Sequence, residues 1–244
     1  MTEPNQTRFN QEAANWDSNP SVVLATELAV RSYLPFCSPS FDILDLGCGT
    51  GLLSLLLAPH VRSVTAVDSA SGMIDVLTAK LSPSGSHANI KNVLPVCALL
   101  EDPNDPRLQV DPLTKATLET GTPARRFDLV VSHLVLHHIP DLAAVFKTIY
   151  GLLKPGGKVA VTDFEDFGPE ARRFHPESKM DGVERHGIKR EDIQKIMEEA
   201  GFQGVTVETA FELPKRVESE PGKGDIETGP TNVFPFLICS GTKS

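Results

Sequence analysis

The chain has no paired cysteines. Its four, Cys37, Cys48, Cys97 and Cys239, are scattered without any C-x-x-C-like spacing. That excludes a disulfide framework or a cysteine zinc site and reads as reduced thiols in a reducing compartment. Long apolar runs are missing as well. No stretch approaches the roughly 18 apolar residues of a membrane span. The opening MTEPNQTRFNQE has no apolar centre, so a secretory leader is not expected. Positive charge is short: 23 Lys and Arg stand against 32 Asp and Glu, a formal charge of −9. That balance argues against nucleic acid or a membrane as a partner held by bulk field. A cytoplasmic protein is expected, with access to the nucleus left open. There is no internal repeat, and tryptophan occurs once, at Trp16.

What is present suffices for one sizeable core: 244 residues, 40% of them hydrophobic. The stretch Ile43-Leu44-Asp45-Leu46-Gly47-Cys48-Gly49-Thr50-Gly51 is the organising feature. An apolar run suited to a buried strand ends in three glycines at alternate positions, and an apolar helix start, Leu52 to Leu57, follows. A strand, a glycine turn and a helix N-terminus let a ligand press on bare backbone and meet unpaired N–H groups. The dinucleotide fingerprint Gly-x-Gly-x-x-Gly would need a glycine where Leu52 stands. The loop is nucleotide-like, but not the standard NAD one.

Further along, Phe41–Leu46, Ser63–Val67, Val93–Ala98, Phe127–Ser132, Lys158–Thr162, Val205–Leu213 and Val233–Ser240 read as strands. Helices are expected over Ser21–Leu34 (Ser21 as N-cap), Gly51–Ala58, Met73–Leu81, Asp141–Leu153 and Lys189–Ala200. Leu99–Arg125 reads as a long loop with at most a short helix near Pro112–Glu119, and Asp163–Ile188 as irregular. Alternating strands and helices imply a parallel sheet with helices on both faces. Asp68 ends the second strand, 21 residues after Gly47. Alone it serves equally to cap the next helix. Beside the glycine loop it reads as the acid that accepts both hydroxyls of a ribose.

Four stretches in order resemble the class I S-adenosylmethionine-dependent methyltransferases, small-molecule type. ILDLGCGTG looks like the first motif and VTAVDSASGMI like the second; RFDLVVSHLVLHHIPD and LLKPGGKVAVTDF look like the fourth-strand and fifth-strand motifs. AANWD is similar to a segment ahead of the core in small-molecule members. The resemblance implies an α/β, Rossmann-like three-layer sandwich with a seven-stranded, mostly parallel sheet of order 3-2-1-4-5-7-6 and the last strand antiparallel. It also implies a single domain, with residues 1–40 an arm and helix over the site and 41–244 the methyltransferase domain. Carried onto this chain, it implies S-adenosylmethionine contacts at Asp45, Gly47, Cys48, Gly49, Gly51, Asp68, Ser69, Met73, Ala98, Leu99, Ser132 and His133, with Trp16 folding over the ligand.

The reaction implied is in-line displacement at the sulfonium methyl, where alignment and exclusion of water do most of the work. A base is needed only if the acceptor must lose a proton. His133, at a strand's C-terminal edge, and His186, in the segment after the fifth strand, are the catalytic candidates. His137-His138 and His175 read either as packing and capping residues or as acceptor-pocket residues. No i,i+4 histidine pair has an evident third ligand, so no metal is expected. The acceptor is expected to be a small molecule. A protein substrate, or a non-catalytic regulatory subunit acting through a protein partner, is the alternative. An NAD-dependent oxidoreductase is disfavoured by Leu52.

Overall fold

A computed structural model of the chain describes residues 3–119 and 124–244; Gly121 and Pro123 of the expected long loop lie outside the described residues. Seven strands form one sheet: β1 (Asp42–Leu46), β2 (Ser63–Asp68), β3 (Val93–Cys97), β4 (Phe127–His133), β5 (Leu153–Phe164), β6 (Phe202–Arg216) and β7 (Thr231–Lys243). Their order is β3-β2-β1-β4-β5-β7-β6, and β7 runs antiparallel to both its neighbours while the other pairs are parallel. This is the Rossmann-like order expected from the motifs. The six α-helices are α1 (Glu3–Glu12), α2 (Pro20–Tyr33), α3 (Leu52–Leu57), α4 (Ser71–Leu81), α5 (Leu142–Leu152) and α6 (Arg190–Glu199).

The central strands are apolar on both sides because helices cover both. Side chains alternate between the two layers, as the strand period of two requires. Leu44, Val130, Val159 and Val161 pack with Phe146 and Ile149 of α5 and Ile193 and Met197 of α6. Their neighbours Ile43, Leu129, Val131 and Ala160 face the other way, against Tyr33 of α2, Leu53 and Leu57 of α3 and Leu77 of α4.

Three local expectations need correction. The cap of α2 is Asn19, whose side chain accepts from the Ser21 N–H at 3.1 Å; Pro20 takes the first helical position, where its missing N–H costs nothing. No helix forms over Pro112–Glu119. The Asp111 carboxylate accepts instead from the Leu113 and Thr114 N–H groups, and Val110 bridges to Thr117. The N-terminal arm, for whose first twenty residues no helix was expected, carries α1 and a 3-10 turn over Ala13–Ser18. Phe9 and Ala13 of this segment bury against Ala70 and Met73 at the start of α4, with Trp16 packed beside them.

The turn after β1 needs glycine for steric reasons. Gly51 has φ +83°, and a Cβ there would lie 2.3 Å from Leu77 Cδ1; at Gly47, φ +73°, it would lie 2.4 Å from a Val135 methyl. The loop is pinned to the end of β2, where the Gly47 and Cys48 N–H groups donate to the Val67 carbonyl at 2.8 and 2.9 Å.

Candidate active site

The C-terminal ends of β1, β2, β4 and β6 open into a cavity of about 630 Å³. In an α/β sheet with strands turning outward from β1, this edge is where ligands bind. Asp45, Gly47, Cys48 and Gly49 supply one wall, and Asp68 and Met73 continue it.

Asp68 is 6% exposed, and its carboxylate accepts from the Gly49 N–H at 2.9 Å and the Ala70 N–H at 2.8 Å, one on each oxygen. Burial holds its pKa above the ordinary carboxylate value, against those two hydrogen bonds. Asp45 is 1% exposed and accepts from the Ser54 hydroxyl at 2.5 Å. Burial, with the charge of Asp68 adding to it, pushes Asp45 up to about 7. Two carboxyls in one dry wall make the site a receptor for a cation and for hydroxyl donors.

The shift on Asp45 has a sign that can be tested. A carboxyl with a folded pKa above its unfolded value, about 4, holds its proton more tightly in the folded state. Its contribution to stability is therefore present below about pH 4 and is lost as pH rises toward 7. Urea midpoints of the ligand-free protein should fall between pH 4 and 7 more steeply than those of Asp45→Asn. Parallel curves would show that Asp45 titrates normally.

The N-terminal segment closes the opposite wall with Arg8, Phe9, Glu12 and Trp16. It is pinned to the glycine loop by Asp17, which accepts from the Thr50 hydroxyl at 2.5 Å and pairs with Lys80 at 2.5 Å; Lys80 in turn donates to the Thr50 carbonyl at 2.7 Å. The Trp16 indole nitrogen lies 3.8 Å from where a Gly49 Cβ would be.

The hydrogen bonds around His133 dictate its tautomer. The Tyr33 hydroxyl donates to the Ser132 carbonyl at 2.5 Å. The Thr162 hydroxyl, 2.8 Å from the Tyr33 oxygen, must then donate to it. His133 Nδ1, 2.7 Å from the same Thr162 oxygen, must therefore be the N–H donor. That leaves Nε2 with a bare lone pair, buried and without a partner. Burial lowers the pKa of His133 to about 4, so the ring is neutral at physiological pH.

His137, 1% exposed, sits in a 3-10 turn just after β4. Its Nδ1 donates to Asp163 at 2.8 Å, and its backbone N–H donates to the same carboxylate at 3.0 Å. The contact follows from register: His133 pairs with Thr162 across β4 and β5, so the turn after β4 returns onto Asp163. His138 donates from Nδ1 to the Gly182 carbonyl at 2.9 Å, and its ring lies 4.0 Å from that of His137. His175 brings a third ring to within 5.0 Å of His137. Burial and the neighbouring His137 lower the pKa of His138 to about 2, and the same causes lower His175. All three rings line the cavity.

Other residues named from the sequence do not line it. Gly51 lies under Leu77 and serves the turn. Ser132 is 1% exposed and donates from its hydroxyl to the Leu46 carbonyl at 2.7 Å. Ala98 is buried and its N–H donates to the Asp68 carbonyl at 2.8 Å; Leu99 beside it is exposed. Ser69, next to Asp68, and His186 are also absent from the wall. Arg8, Phe9, Thr50 and Asp163 are the residues the sequence reading passed over as contributors to the site. For Phe9 a signal existed: Phe9, Ala13 and Trp16 recur at helical spacing in a segment otherwise polar.

The family model described as "Methyltransferase domain" matches residues 18–207. The chain belongs to this methyltransferase family. The match spans the glycine loop, Asp68, the four histidines of the cavity and Asp163, so the resemblance drawn from four motifs holds. Among curated relatives, a ubiquinone biosynthesis O-methyltransferase of Coxiella burnetii is 36% identical over 117 residues, 48% of this methyltransferase and 41% of the relative. An uncharacterised methyltransferase of Schizosaccharomyces pombe is 33% identical over 149 residues, 60% and 47% of the two chains. The chain thus spans less than half the length of these curated relatives. Among solved structures, the N-methyltransferase NodS of Bradyrhizobium japonicum, in complex with S-adenosyl-L-homocysteine, matches at TM-score 0.58 with 16% identity and 99% of each chain covered. That likeness establishes the methyltransferase fold. No helix among the described residues is long and apolar enough to cross a membrane.

Proposed function

We propose that this chain transfers the methyl group of S-adenosylmethionine to a small-molecule acceptor. The supporting observation is that Asp45 and Asp68 flank the glycine loop in the wall of one cavity. The Asp68 carboxylate already takes the backbone N–H groups of Gly49, Ala70 and Ser69, and its remaining acceptor capacity would meet the ribose hydroxyls. Asp45 would meet the ammonium of the methionine part, which would draw its proton off. Gly47, Cys48 and Gly49 would let that part lie on backbone, with Gly51 shaping the turn. Met73 and Trp16 would flank the ribose and base, and Ser69, Ala98 and Leu99 would border the adenine further out. Residues 1–40 would act as a cover over 41–244, held shut by Asp17 on Thr50 and Lys80. Ser132 would act through the backbone at the end of β4.

At the far end the methyl carbon would leave the sulfonium sulfur, which keeps the electron pair, and bond to the acceptor's nucleophile. Where that nucleophile is a hydroxyl or another protonated group, His133 Nε2 is the base the geometry supplies. His186 is outside the cavity wall and is not assigned a step. A small acceptor is favoured because the cavity is bounded on both sides by the N-terminal segment and by residues 174–179. Matched relatives carry names of small-molecule enzymes: ubiquinone biosynthesis, and, in wheat, phosphoethanolamine N-methylation, at 35% identity over 99 residues.

Calorimetric titration with S-adenosylmethionine, S-adenosylhomocysteine and NAD tests the reading. Binding of the two sulfur compounds without NAD is expected. Binding of NAD alone would overturn it.

A further inference from the structure

We propose that His137, His138 and His175 form a binding site for one divalent transition metal of the zinc class, open on its fourth side to the cavity. One ring nitrogen from each residue lies within 4.8 Å of the other two, a separation that small side-chain rotations bring to coordination distance. The sequence hides the site because His175 comes 37 residues after His138.

Three observations carry the assignment beyond mere proximity. First, His137 is 1% exposed, and its Nε2 is buried with no hydrogen-bond partner. A buried ring nitrogen without a partner is costly unless something fills it. Second, the outer nitrogens are already committed. Asp163 accepts from Nδ1 of His137 and the Gly182 carbonyl accepts from Nδ1 of His138. A carboxylate or carbonyl behind the ring fixes the tautomer and aims Nε2 inward, the arrangement that supports metal-ligating histidines. Third, the three rings pack against one another in the wall of one cavity, with the His175 ring centred 5.0 Å from that of His137 and 5.8 Å from that of His138.

The surroundings specify the fourth ligand. Arg8 and Lys215 line the same cavity as His175, and Arg8 Nε is a buried N–H with no partner. Two cations beside a divalent ion call for an anion between them. The site therefore fits an acceptor with a hydroxyl that ionises on the metal, its proton released to solvent or to His133 Nε2. This deepens the methyl-transfer reading by naming what would hold the acceptor. The two fail separately, since metal binding and cofactor binding are measured in different titrations.

The test is titration of chelator-treated full-length protein with Co²⁺ and then Zn²⁺, followed by visible absorption and metal analysis. One equivalent of Co²⁺ should give the intense visible bands of a tetrahedral site, and Zn²⁺ should abolish them. His138→Ala and His175→Ala, each checked for native circular dichroism, should weaken binding by more than about 100-fold. His87→Ala, at a half-buried histidine outside the cavity whose ring bonds to the Ser86 hydroxyl, should bind as the parent does. Weak or non-stoichiometric Co²⁺ uptake would overturn the proposal, as would equal affinity in folded His138→Ala and His175→Ala proteins.

Discussion

Asp163→Ala should destabilise the folded protein by about 3–5 kcal/mol, the cost of deleting one partner of a buried charged hydrogen-bonded group. Asp163 is fully buried at the end of β5. Its carboxylate accepts from the His137 ring, from the His137 backbone and from the Phe164 backbone. Alanine strands all three donors where water cannot replace the acceptor, and each stranded donor costs on the order of 1–3 kcal/mol. Asp163→Asn should cost less, because its amide oxygen still accepts from one side while its NH₂ opposes the other donor. Urea denaturation of the two variants checks the order and the size. A loss below about 1 kcal/mol in Asp163→Ala would mean that the turn carrying His137 holds itself without β5. The effect is structural at its origin but reaches the cavity directly, since the same carboxylate fixes the direction of His137 Nε2.

Asp68→Ala is expected to weaken S-adenosylmethionine binding by about 1.5–3 kcal/mol, roughly 10- to 150-fold. Two ribose hydroxyls would lose a charged acceptor, and the Gly49 and Ala70 N–H groups lose theirs. The glycine loop is the second casualty. With its Gly49 N–H released, it is held mainly by the Gly47 and Cys48 N–H bonds to the Val67 carbonyl, at 2.8 and 2.9 Å. Asp68→Asn separates the two effects. It can keep one backbone acceptor and one ribose contact while losing the charge, so it should fall between the parent and alanine. Isothermal titration of folded variants decides; unchanged affinity in Asp68→Ala would remove the ribose assignment. The largest effects thus sit on two aspartates at the C-terminal ends of β2 and β5 of one sheet.

The glycine loop, its strand and Asp68 could be found without coordinates because each depends on local chemistry. Left-handed backbone at Gly51 demands glycine, an apolar run demands burial, and an acid at a strand end demands donors nearby. The alternation of strands and helices was legible for the same reason, while the sheet order and the reversed β7 were what the resemblance implied. The failures share a cause too. The cap at Asn19 was missed by two residues because proline's preference for the first helical position outweighs a serine's for capping. A helix over Pro112–Glu119 stops at its first turn, because Lys115 takes a left-handed φ of +59° and the chain folds back so that the Asp111 N–H donates to the Ala116 carbonyl. The N-terminal helix was obscured because Phe9 is its one buried apolar side chain among the described residues, and Ala13 and Trp16 continue the stripe only in the 3-10 turn that follows.

The sequence by itself determined the individual strands, the glycine turn and the pair of acids beside it, since these follow from residues close together in the chain and from alternation along single strands. Only the tertiary structure decided what the histidines do. His133, His137, His138 and His175 carry no spacing that marks a site. Their roles rest on Thr162, Asp163 and Gly182, which the β4–β5 register and the return of residues 174–182 bring against them. Long-range pairing of this kind is set by which strands lie side by side, and no local pattern of residues encodes it.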